Sequence, residues 1–149
     1  MENPRILPPF VFLLCLLTGL GLHFLLKESI PWRSPHSFAG VFFLIVGFAL
    51  MMWARGLFQK RKTPVRPGET PTALVTDGPY RAIRNPMYLG FTLMLSGAAL
   101  WVGTLPMFLA PVAFVWIIDS IFIPYEERKM ERLFGQEYLD YKKRVRRWL

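Results

Sequence analysis

Gly78-Pro79-Tyr80-Arg81-Ala82-Ile83-Arg84-Asn85-Pro86-Met87-Tyr88-Leu89-Gly90 decides the fold, because within it a polar, proline-rich connection becomes a long apolar run. Each proline fixes its own φ and biases the residue before it toward extended backbone. Pro86 suits the first turn of a helix, where its missing N–H has no partner to lose. Asn85 is then the expected N-cap, with its side chain closing the first backbone donors. The stretch predicts a helix N-terminus flanked by Arg81 and Arg84, an end that attracts anions.

No charge follows from Asn85 to Ile118, and Gly103-Thr104-Leu105-Pro106 divides that run in two. So short a join predicts a tight antiparallel helix pair, with spans over about 87–102 and 105–123. Beyond it come Tyr125-Glu126-Glu127, then Phe134-Gly135-Gln136-Glu137-Tyr138, then a basic end. The hairpin returns the chain to the depth at which it began, so Asn85-Pro86 and the glutamate pair are expected to be neighbours.

The composition agrees with a membrane protein: 53% of the 149 residues are hydrophobic, with 13 Phe and 5 Trp, and charges gather between apolar runs. Two further spans are expected at about 10–26 and 38–57, each matching a hydrocarbon core of ~30 Å. The fold class read from this pattern is all-α: an integral membrane bundle of four transmembrane helices with short cytoplasmic C-terminal helices, one domain over 1–149. A net charge of +8 is compatible with nucleic-acid binding, but the basic residues flank spans, and no nucleic-acid partner is expected. Sixteen of the 18 Lys and Arg fall on the side shared by the termini and the 58–85 connection, which places that side in the cytoplasm. Trp32 is an expected interface anchor, and Arg55 can snorkel to the headgroups from the end of its span.

Gly19 and Gly21 are expected to admit a neighbouring helix, and His23 to lie at the interface. Cys15 has no cysteine partner. Two histidines on separate segments and one cysteine make no metal constellation. Asp119 is the only acid inside a span, open to a functional or an interfacial reading. The 58–85 connection, with prolines that forbid a continuous helix, is expected to be ordered over the helix ends. The tail reads as two helical pieces broken at Gly135. In the second, Tyr138, Tyr141, Val145 and Trp148 form one face and the basic residues the other, suited to an anionic leaflet.

As a set, the Gly-Pro-Tyr-Arg stretch, Arg-Asn-Pro-x-Tyr-x-Gly, the hairpin, the Glu pair and Phe-Gly-x-Glu-Tyr resemble the isoprenylcysteine carboxyl methyltransferase family, relatives of phospholipid N-methyltransferases. The resemblance covers Leu57 to Leu149. Asn85 stands where the eukaryotic isoprenylcysteine enzymes carry a histidine, a departure that bears on the prenyl substrate rather than the cofactor. The resemblance implies S-adenosyl-L-methionine as cofactor, bound by regions 78–90 and 125–147 on the cytoplasmic face, with a lipophilic small molecule or lipid reaching the site from the bilayer. On that reading Tyr80, Asn85, Pro86, Met87, Tyr88, Leu89 and Gly90 line the cofactor site from one side. Tyr125, Glu126 and Glu127 line it from the other. Backbone donors at Met87–Gly90 hold polar groups, Glu126 or Glu127 meets the ammonium or ribose, and Gly90 permits close approach. Arg81 and Arg84 orient an anionic acceptor, and Glu127 also stands as a catalytic candidate. The acceptor is either an isoprenoid carboxylate or a phospholipid amine. A non-catalytic four-span scaffold is the competing class, and the oligomeric state is not legible.

Overall fold

The computed structural model describes residues 7–26, 36–65 and 69–148, apart from the side chains of His36 and Ser37. Residues 27–35, Trp32 among them, and residues 66–68 lie outside the described part. Four membrane-facing helices form the body: α1 (Pro8–Leu26), α2 (His36–Lys60), α3 (Pro86–Val102) and α4 (Leu105–Ile117). Three helical stretches are long and apolar enough to cross a bilayer, those of α1, α2 and the one beginning at Leu105. The fourth, α3, has 17 residues, about 25 Å at 1.5 Å per residue. No strand is present among the described residues. The result is an all-α membrane bundle.

Its outer surface shows why water is the wrong solvent. Leu14, Leu17, Phe42, Ile45, Trp101, Val112 and Trp116 are all exposed, so apolar side chains surround the bundle as they do in lipid. The interior is assembled in pairs: α2 lies along α3, α3 against α4, and α4 against α1. Phe12, Phe91 and Phe114 from α1, α3 and α4 meet with ring centroids 5.0 to 6.3 Å apart. Cys15 is buried in the same core.

The α2–α3 contact rests on four glycines in antiparallel register. Gly47 meets Gly90, and Gly40 meets Gly97. A Cβ on Gly47 would stand 2.6 Å from the Gly90 carbonyl oxygen, and one on Gly97 2.7 Å from that of Gly40. The backbones touch, which favours dispersion and weak Cα–H···O contacts where lipid offers no hydrophobic driving force. Gly90 thus faces α2 and not a cavity. On α1, Gly19 admits Met107 and Ala110 of α4, whereas Gly21 faces open space.

Gly103 closes α3 in the left-handed conformation (φ 70°), its N–H returning to Ala99. That lets the chain reverse at once into α4. The α4 helix does not stop at its apolar end: through a π-helical turn (Ile118–Phe122) it runs into α5 (Ile123–Arg144). Pro124 explains the turn. It has no N–H for Ser120, and the Ile123 N–H reaches Ile118 instead. Gly135 then breaks α5 with non-helical angles (φ 52°, ψ −125°), as its place between the two tail pieces suggests.

Candidate functional site

The connection from α2 to α3 is folded where it is described. Thr63 Oγ1 accepts from the Thr72 N–H at 2.8 Å, Arg61 pairs with Asp77, and the Lys129 ammonium donates to the Glu69 carbonyl. Gly78 takes a left-handed φ of 56°, tucked against Trp53 and Leu57, and opens a short 3-10 turn over Gly78–Arg81. That turn buries Tyr80, whose ring stacks edge-on with Phe58 at 5.6 Å. The Tyr141 hydroxyl donates to the Tyr80 carbonyl at 2.8 Å.

Between this connection, the inner ends of α2 and α3, and α5 lies a cavity of about 380 Å³, within the size range of small-molecule sites. One part of its wall is polar: Tyr80, Arg84, Asn85, Tyr88, Tyr125, Glu126, Glu127 and Lys129. Another is apolar, made by Leu7, Pro8 and Pro9 at the start of α1, Met51 and Phe58 of α2, and Met87 and Phe91 of α3. Arg55 stands in that second wall, one turn from Met51.

The hairpin brings the two motifs into direct contact. The Tyr88 hydroxyl donates to Glu126 Oε1 at 2.7 Å, and Arg84 Nη2 donates to Glu127 Oε1 at 2.9 Å. The neighbouring glutamates have opposite surroundings. Glu127 is 6% exposed and meets Arg84, Lys142 and Arg147 within 3.2 Å. Burial alone would raise its pKa, but the hydrogen bond from Arg147 and the charges of Arg84 and Lys142 outweigh it and hold the group below the ordinary value. Glu126 has no such cations beside it. Burial pushes it from 4.5 up to about 7, opposed only by the Tyr88 hydroxyl and the more distant Lys129. The Tyr80 hydroxyl is buried with no hydrogen-bond partner, and burial together with Tyr141 and Glu126 raises its pKa. A buried hydroxyl left this way has lost its hydration without compensation.

Asn85 is the N-cap residue of α3, but its side chain makes no cap bond. Its amide donates to the Arg147 carbonyl at 3.2 Å, so the expected closure of the first helical donors does not occur and they stay open. Pro86 is fully buried beneath them. Leu89 and Gly90 are not in the cavity wall, and Gly90 is held by α2. Arg81 is exposed and outside the wall. Arg84 is in the wall; its Nη atoms are committed to the Lys142 carbonyl and to Glu127, both at 2.9 Å, while its Nε is buried without a partner.

The tail departs from the expected amphipathic helix. The helix ends at Arg144, and Val145 is extended (φ −117°, ψ 132°). Arg146 forms a parallel bridge with Ile83, Arg147 enters the glutamate cluster, and Trp148 Nε1 donates to Asp119 at 2.9 Å. Tyr138, Tyr141 and Val145 do share a buried cluster. Asp140 pairs with Lys143, while the Arg144 guanidinium donates to the Asp140 carbonyl rather than to its carboxylate. Arg147 fell within the expected 125–147 region but, like Trp148, was not singled out, because nothing in Arg144-Val145-Arg146 marks a helix end. Arg55 carried a signal, an arginine inside a span, but headgroup snorkelling explained it equally well. Among the described residues no group of three potential metal ligands gathers.

The chain is 41% identical over 63 residues to an "uncharacterized protein" of Haemophilus influenzae, covering 42% of this chain and all of that one. It is 35% identical over 72 residues to protein-S-isoprenylcysteine O-methyltransferase B of Arabidopsis thaliana, covering 48% of this chain and 36% of that protein. To methanethiol S-methyltransferase 1 of Bradyrhizobium diazoefficiens it is 36% identical over 90 residues, 60% of this chain and 30% of that one. The matches thus span about a third of the two named methyltransferases. No solved structure matches. The family profile described as phospholipid methyltransferase matches residues 35–137, which take in α2, the connection, the α3–α4 hairpin and the glutamate pair; the chain belongs to that family of methyltransferases.

Proposed function

We propose that the protein methylates a lipophilic acceptor carrying an anionic group, with S-adenosyl-L-methionine as the methyl donor. The observation that carries this reading is the cavity whose wall brings Glu126, hydrogen-bonded to Tyr88, together with Asn85 and Met87 at the uncapped start of α3. When bound, S-adenosylmethionine supplies a methyl group on a positively charged sulfur, made electrophilic by that charge. The residues present fit it. Glu126, a carboxylate with one hydrogen bond and no ion pair at contact distance, would take the ammonium. The uncapped N–H groups at the start of α3 would take the carboxylate, aided by the helix dipole. Tyr80 and Tyr125 offer aromatic surface to its flat parts. Glu127 is occupied by three cations and serves to hold the site's shape.

The acceptor belongs to the apolar wall. Leu7, Pro8, Pro9, Met51 and Phe91 suit a hydrocarbon chain reaching in from the bilayer. Arg55 is the cation in the cavity wall with no hydrogen bond or ion pair among the described residues, so it replaces Arg81 and Arg84 as the partner of an anionic acceptor group. A carboxylate nucleophile needs only alignment and removal of water. The isoprenylcysteine relative's name points to such a group. An amine acceptor is the second reading, since Glu126 near neutrality could accept its proton. By the distribution of basic residues, the cavity opens on the cytoplasmic side.

The test is incubation of the purified protein in lipid vesicles with methyl-labelled S-adenosylmethionine, followed by identification of the labelled lipid. Label on a carboxylate or phosphate-bearing acceptor, with Arg55→Ala raising the acceptor KM at least about tenfold and leaving cofactor affinity alone, is the expected result. No labelled lipid, together with no calorimetric binding of S-adenosylhomocysteine, would establish the scaffold instead.

A further inference from the structure

The start of α3, the π turn and the start of α5 meet at residues 145–148. The Arg146 carbonyl accepts from the Arg84 N–H at 2.8 Å. The Arg147 carbonyl accepts from the Asn85 amide at 3.2 Å. The Arg147 side chain grips both oxygens of Glu127, Nε to Oε1 at 3.2 Å and Nη2 to Oε2 at 3.0 Å. Its remaining nitrogen, Nη1, reaches Asp119 Oδ1 at 3.2 Å. Asp119 also receives Trp148 Nε1, and the Trp148 ring packs on the α1–α3–α4 core. One segment therefore ties the start of α3, the π turn and the first turn of α5. None of Asp119, Arg147 and Trp148 is in the cavity wall.

We infer that Arg147, anchored by Asp119, is a positioning residue that sets the polar end of the cofactor cavity through Glu127 and Asn85. Two consequences of its bonds reach the cavity. A fork-shaped guanidinium across both oxygens of Glu127 fixes the rotation of the first turn of α5. Glu126, one residue earlier and about 100° round the helix, is thereby turned toward Tyr88 and the cavity. The Arg147 carbonyl draws the Asn85 amide away from capping α3. An asparagine there would ordinarily accept from the first helical N–H groups; here they are left for a ligand. The π turn completes the device, since the shift forced by Pro124 alters the facing of Asp119 relative to the turn that follows.

This inference rests on the proposed cofactor. Its effect is confined to the part of the ligand that Glu126 and the α3 start would hold, namely the amino-acid end. Calorimetry with two probes separates that end from the rest: S-adenosylhomocysteine has it, and 5′-methylthioadenosine lacks it. Arg147→Gln in the full chain should weaken S-adenosylhomocysteine by about tenfold, the scale of one charge-assisted hydrogen bond, and leave methylthioadenosine within about twofold. Arg147→Lys keeps the charge without the fork and should recover part of the loss. Asp119→Asn, which loosens the anchor and leaves Glu127 untouched, should give a smaller loss with the same selectivity, and it answers the question if Arg147→Gln does not fold. Equal weakening of both probes, or unchanged affinity in a folded Asp119→Asn, would overturn the inference. If the wild-type protein binds neither probe, the cofactor reading itself fails and this one with it.

Discussion

Glu126 offers the sharpest measurement, because the structure gives it a titration of its own. Burial raises its pKa from 4.5 to about 7. The groups facing it are the Tyr88 hydroxyl, Lys129 and, less closely, Tyr80. A shift of that size amounts to about 3 kcal/mol of preference for the protonated form in the folded, ligand-free protein. The sign follows: a raised pKa means the folded state binds the proton more tightly than the unfolded one. Stability from this group is therefore full below pH 4.5 and is lost as pH rises toward 7. Binding of an ammonium reverses the preference, since only ionised Glu126 pairs with it. Below about pH 7 each binding event must release a proton, and the dissociation constant should worsen by close to tenfold per pH unit. S-Adenosylhomocysteine is the suitable probe, as its own ammonium and carboxylate do not titrate in this window. Calorimetry from pH 5.5 to 8 should show affinity about 30-fold weaker at the acid end, with the curve flat above pH 7. Glu126→Gln should bind more weakly throughout, by roughly tenfold or more, and lose the slope. A wild-type curve that is flat over the whole range, or a slope that survives in Glu126→Gln, would refute the assignment of the ammonium to this carboxylate.

Two further outcomes follow from the packing. Gly47→Ala places a Cβ 2.6 Å from the Gly90 carbonyl and 2.9 Å from the Met94 nitrogen, both backbone atoms, so it should destabilise the detergent-solubilised protein by about 1–3 kcal/mol. Gly21→Ala, which meets nothing within 4 Å, should change its thermal midpoint hardly at all. Glu127→Gln leaves Arg84, Lys142 and Arg147 gathered without their shared anion and should cost about 3–5 kcal/mol in the same assay. Glu131→Gln, which removes only the outer partner of Lys142, should cost less than about 1 kcal/mol.

What the sequence disclosed and what it hid divide along a physical line. The all-α membrane class was legible because bilayer spans leave long uncharged runs and a two-residue reversal admits one pairing. The approach of Asn85-Pro86 to the glutamates followed from the same hairpin. Hidden were the features decided by side-chain rotation and by partners remote in sequence. Gly90 belongs to a motif rich in polar neighbours, yet its missing side chain serves contact with Gly47, and the seven-residue spacing it shares with Gly97 was the available clue. Asp119 lay between two readings because its partners, Arg147 and Trp148, were assigned to an expected helix that in fact ends before them.

The glutamate pair shows how far that division reaches into function. Adjacent carboxylates in the first turn of a helix are interchangeable on paper, both favoured there by the dipole. They differ once the helix is rotated into place, and the rotation is set by a guanidinium 20 residues away. Glu127, turned toward Arg84, Lys142 and Arg147, is ionised and committed. Glu126, turned toward a tyrosine and a cavity, keeps an unmet demand for positive charge. A site that binds a cation needs both conditions: one acid held rigid by the fold's own cations, and one that the fold leaves wanting. If the two glutamates exchanged roles, so that Glu127→Gln rather than Glu126→Gln abolished the pH dependence of binding in a protein still folded, this ordering of the pair would be wrong.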